Sequence, residues 1–111
     1  MIDEATFRRE SDRALDALKQ SLIRAEDAGA EFESEEKNGV LNINFDSGDR
    51  FVFSPNTPVR QLWISAQSTS FKLEWNEASH AFTLPRTGED MRTLTERLVR
   101  EQLDDDSIVL R

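Results

Sequence analysis

Apolar positions recur at two different periods along this chain, and the switch between them marks out its elements. Phe7, Ala14, Leu15, Leu18, Leu22 and Ala25 fall at helical spacing, which predicts an amphipathic helix over about 3–28. Asp3, Glu10, Asp12, Asp16, Lys19 and Arg24 take its wet side, and Gly29 stands where a left-handed residue would end it. From residue 31 the period drops to two. In EFESEE, residues 31–36, Glu31, Glu33 and Glu35 share one face, and Asn38-Gly39 is a tight hairpin turn. Leu41, Ile43 and Phe45 then alternate with Val40, Asn42 and Asn44.

The turn DSGD, residues 46–49, leads to a third strand over 50–54. The segment SPNTP, with two prolines, is predicted to be a loop, because proline lacks the donor a central strand needs. RQLWISA, residues 60–66, reads as the fourth strand. A polar loop, QSTS, precedes a fifth, FKLEW, with Phe71, Leu73 and Trp75 on one side and Lys72 and Glu74 on the other. NEAS is a turn and AFTL, residues 81–84, a short sixth strand.

Met91, Leu94, Leu98 and Val99 restore the helical period, predicting a second helix over about 88–103. Thr87 is its expected N-cap, Glu89 and Asp90 favour its first turn, and Arg97 and Arg100 its last half. Ile108, Val109 and Leu110 close the chain and are expected to pack back. One helix, six consecutive short strands and another helix predict an α+β fold of one domain, 1–111. Its form is a two-layer α-β sandwich: an antiparallel six-stranded sheet with both helices on one face and the other face open.

That open face makes Trp63 conspicuous. If Leu62, Ile64 and Ala66 pack beneath the helices, Gln61, Trp63 and Ser65 point the other way. An indole there exposes much of the ~150–250 Å² an aromatic normally buries. Either a neighbouring loop or a long side chain such as Arg50 or Lys72 covers it, or a partner does; Trp flanked by Arg60 and Gln61 has hot-spot composition.

Charge adds a second feature. The chain has 14 basic and 22 acidic residues, a net −8, which disfavours nucleic acid and anionic membranes and favours cations or basic protein surfaces. Glu26, Asp27, Glu31, Glu33, Glu35 and Glu36 fall together with no base until Lys37. Glu31 and Glu33 on a strand lie roughly 7 Å apart, a repulsion of order 0.6 kcal/mol in water that salt screens only in part. The run is either a solvated edge that blocks strand pairing or a surface with a use for negative potential. Its carboxylates suit hard cations such as magnesium, calcium, manganese or ferrous iron, and with no Cys softer metals lack thiolates.

Catalytic motifs are absent. The lone His80 lies in a turn, no Ser-His-acid spacing is recognisable, and neither a P-loop nor GxGxxG occurs. The acidic, amphipathic N-terminus is not a secretory signal, and no apolar window approaches a membrane span, so a cytoplasmic protein is expected.

The stretch NGVLNINFDSGDRFVFSPNTPVRQLWISAQSTSFKLEW, followed by RTGED and an amphipathic helix, resembles the frataxin family in its bacterial form. The pattern TPxxQxWxSxxxxxFxxxW carries the resemblance, and it spans essentially the whole chain. It implies a non-enzymatic accessory protein of iron–sulfur cluster assembly that binds iron weakly and regulates the cysteine desulfurase. The implied metal ridge here is Glu26, Asp27, Glu31, Glu33 and Glu35. The implied sheet-face contacts to desulfurase and scaffold are Gln61 and Trp63, with Arg60, Ser65 and Lys72 beside them. A monomer is expected. Val59 stands where many relatives carry Asn, and Ile23 and Arg24 where they carry acids. Alternatives are a ferroxidase, which would need a defined di-iron site, and an iron chaperone or store that works by oligomerisation.

Overall fold

A computed structural model describes residues 2–111, and in it the two periods become two layers. Helix α1, Glu4–Asp27, begins at Asp3, whose carboxylate accepts from Thr6 N at 2.7 Å. Strands β1 (Phe32–Lys37), β2 (Val40–Phe45), β3 (Arg50–Asn56), β4 (Gln61–Ala66), β5 (Thr69–Asn76) and β6 (Ala81–Thr83) follow, then α2, Met91–Leu103. The strands pair with their sequence neighbours in one antiparallel sheet ordered β1-β2-β3-β4-β5-β6. Both helices pack on one face.

The core forms where the alternating apolar residues meet the helix stripe. Leu41, Ile43, Phe51, Phe53, Leu62, Ile64 and Leu73 are buried from the sheet, and Phe7, Leu18, Leu22, Leu94 and Leu98 from the helices. Phe7 meets Phe82 edge-on at 5.7 Å, tying α1 to the far strand. Ile108 and Leu110 are buried as expected, while Val109 between them is exposed. Arginines hold that tail by its carbonyls: Arg100 Nε donates to Ile108 O at 2.7 Å and Arg92 Nη1 to Leu110 O at 2.9 Å.

Several strand ends shift by one residue from those the sequence predicts, and three boundaries differ by more. Pro55 and Asn56 belong to β3 rather than to a loop, and Pro55 pairs with Leu62. The pairing of β2 with β3 ends at Leu41 and Phe53, so Pro55 has a strand on one side only, an edge condition in which a missing donor is tolerated. The loop QSTS shrinks to a two-residue turn, Gln67-Ser68, both at positive φ, and β5 starts at Thr69.

Helix α2 starts at Met91 with Asp90, not Thr87, as its N-cap; Asp90 accepts from Thr93 N at 2.8 Å. Thr87 is diverted because its hydroxyl donates to Glu89 at 2.9 Å and accepts from the Glu89 amide at 3.2 Å. No helix among the described residues is long and apolar enough to cross a membrane.

Candidate functional site

The sheet face away from the helices carries the side chains that alternate with the core. Strand register sets them in rows: Glu33, Asn44 and Arg50 in one, Glu35, Asn42, Val52, Ser65 and Ser70 in the next. Trp63 lies between Ser54 and Lys72, and Gln61 between Asn56 and Glu74. The expectation that Gln61, Trp63 and Ser65 share the open face therefore holds, and Lys72 joins them from β5.

Trp63 is half-buried rather than freely exposed. Its Nε1–H donates to Gln61 Oε1 at 2.8 Å, and Gln61 Nε2 donates to Glu74 Oε2 at 3.1 Å. The Lys72 ammonium stands 5.0 Å from the indole centroid, within cation–π range. Lys72 thus provides part of the covering that the sequence left open between a side chain and a partner. The indole is held in place, and some of its ring surface still faces solvent.

Arg60 is not part of this group. It shares the parity of Leu62 and Ile64, so it points to the helix side, where its guanidinium donates to the Thr57 carbonyl and lies 4.0 Å from Glu4. Arg60 also ends the 3-10 turn Thr57–Val59 in the left-handed conformation, one residue before β4 begins. Glu74 is the member that sequence reasoning missed. The alternation in FKLEW placed it opposite Leu73, but only the strand register shows it beside Gln61.

The acidic run divides among four settings. Glu33 and Glu35 project from edge strand β1 on the open face, both exposed, with Glu31 exposed just before the strand. Glu26 is engaged: Ser34 donates to it from its amide at 3.1 Å and its hydroxyl at 2.5 Å, joining the end of α1 to β1. Glu36, on the helix side, pairs with Lys19 at 3.5 Å. Asp27 is exposed in the last turn of α1, where the helix dipole adds to its negative potential instead of offsetting it.

Among the described residues no three His, Cys, Asp or Glu side chains converge as a metal cage. The exposed carboxylates are hard oxygen donors, but among the described residues they enclose no ion site. His80 is exposed in its turn, edge-on to Trp75 at 5.8 Å.

The model of the frataxin-like domain matches residues 1–105 of this chain. A relative from Pseudomonas fluorescens, described as iron-sulfur cluster assembly protein CyaY, is 33% identical over 91 residues, covering 81% of this chain and 83% of its own. One of the same description from Pseudomonas putida is 33% identical over 99 residues, covering 85% and 90%. Among solved structures, the frataxin of Psychromonas ingrahamii superposes with a TM-score of 0.79 over 94% of each chain at 14% identity, a likeness of fold.

Proposed function

The chain belongs to the frataxin family, and from that premise we propose that it is an accessory protein of iron–sulfur cluster assembly that works by docking rather than by chemistry of its own. The open face around Trp63 meets the complex of cysteine desulfurase and scaffold. The acidic edge of Glu31, Glu33 and Glu35, with Asp27 at the helix end, meets a basic surface of that complex or ferrous iron. Contact alters the desulfurase's rate or its sulfur transfer, and iron on the edge modulates that contact by cancelling charge.

The observation that carries this reading is the ordered indole. A half-buried Trp pinned by Gln61 and Lys72 on a mostly polar sheet face is preorganised for a partner, which lowers the entropic cost of association. The exposed carboxylates support the electrostatic half, since complementary charge chiefly sets on-rate and specificity. Relatives named for iron–sulfur cluster assembly support the biological setting.

The test is desulfurase activity and complex formation with the matching desulfurase and scaffold. Wild type is compared with Trp63→Ala and a Glu31→Lys, Glu33→Lys, Glu35→Lys variant, each checked for folding. We expect the charge-reversal variant to lose binding and Trp63→Ala to lose the scaffold-dependent effect. Wild-type behaviour from both folded variants would remove the reading.

A further inference from the structure

Trp63 is held by more than its own strand. An indole nitrogen can only donate and an ionised carboxylate can only accept, so a carboxamide between them has a single orientation that satisfies both. Gln61 is that carboxamide, accepting from Trp63 Nε1 at 2.8 Å and donating to Glu74 Oε2 at 3.1 Å. Glu74 stands directly across the β4–β5 pair from Gln61, and Lys72 directly across from Trp63, so two adjacent strands place all four side chains.

We propose that Glu74 is a positioning residue for the docking face. By accepting from Gln61 it fixes the amide's orientation, and through that amide it holds the Trp63 indole in the pose a partner meets. The inference rests on the docking role given above to Trp63. It also specifies partner chemistry: the indole's only donor is already used within the sheet, so what remains to be met is ring hydrocarbon. The matching patch on the partner is apolar rather than a hydrogen-bond acceptor aimed at the indole nitrogen.

Two substitutions separate this from a passive surface contact. Glu74→Gln replaces an obligate acceptor with a group that can donate or accept, so Gln61 is free to turn. Glu74→Lys places a donor against Gln61, which favours turning its carbonyl toward the ammonium and its NH2 toward the indole N–H, donor against donor. Glu74 is an exposed strand position, so both variants are expected to fold, checked by thermal melting.

The readouts are the indole ¹H–¹⁵N resonance of Trp63, assigned with Trp63→Phe, and affinity for the desulfurase–scaffold complex. Glu74→Lys is expected to shift the indole resonance in the sense of a lost hydrogen bond and to weaken binding about 10-fold, Glu74→Gln less in both. An unmoved resonance in both variants overturns the proposal whatever the affinity does. So does a moved resonance with wild-type affinity in a protein whose Trp63→Ala variant has lost binding. If Trp63→Ala itself binds as wild type, the docking role fails, while the resonance still decides whether Glu74 positions the ring.

Discussion

Glu26 and Glu33 belong to one acidic run in the sequence, yet one holds the fold together and the other faces water. Glu26→Gln removes a charged acceptor from two Ser34 donors, so we expect a loss of about 1–2 kcal/mol and a melting temperature lower by roughly 4–8 °C per kcal/mol. Titration with ferrous iron should leave that variant's affinity close to wild type. Glu33→Gln with Glu35→Gln should do the reverse, weakening iron binding several-fold at unchanged melting temperature. A Glu26→Gln protein that melts normally but loses iron would return Glu26 to the ridge. At this scale the sequence showed which residue types cluster, and alternation showed which share a face. It could not show that Ser34 engages Glu26, because that contact depends on how α1 crosses β1. Arg60 is next to Gln61 in the chain, but it has the parity of Leu62 and Ile64, so the alternation itself assigns it to the helix side, away from Trp63.

The elements were the most legible part of the chain, since each is bounded by a change of period or by turn chemistry with a mechanism. Asn38-Gly39 forms the expected hairpin with both residues at positive φ. Gln67-Ser68 adopts a similar turn without the residues that favour it, which is why the sequence left a four-residue loop there. Replacing this pair with Asn-Gly should therefore stabilise the fold by up to about 1 kcal/mol, read from urea unfolding. No change, or destabilisation, would mean that the side chains of Gln67 or Ser68 matter more than their backbone. The second helix start was misassigned because Thr87 and Asp90 are both acceptable caps, and the turn 84–88 decides between them. Asp90→Ala should cost about 1 kcal/mol and Thr87→Ala less, a ranking the same unfolding experiment gives.

Over the whole molecule, a net −8 is compatible with folding because many carboxylates have local partners. Glu89 is held below the ordinary carboxylate value, first by hydrogen bonds from Arg97 at 2.8 and 2.9 Å and then by the Thr87 hydroxyl. Asp3 is lowered by the Thr6 amide and Asp105 by the Ser107 hydroxyl. A carboxylate with a depressed folded-state pKa stabilises fully above its unfolded value and loses that contribution as pH falls through the folded one. Stability should therefore decline from about pH 5 downward, and Glu89→Gln should flatten part of that decline. Relief of carboxylate repulsion acts on both proteins, so the difference between their melting curves isolates Glu89. A parallel fall in both would show that the Arg97 pair contributes little to the acid limb.

The same scale holds the central claim, that the sheet face away from the helices is the surface that meets the assembly complex. The most direct measurement is ¹⁵N resonance mapping of the labelled protein on addition of unlabelled desulfurase and scaffold. We expect broadening or shifts confined to open-face positions of β1 to β5, with the Trp63 indole and the Gln61 side-chain amide among the strongest. Perturbation concentrated instead on the exposed faces of α1 and α2, with the Trp63 indole unmoved in a formed complex, would contradict the account.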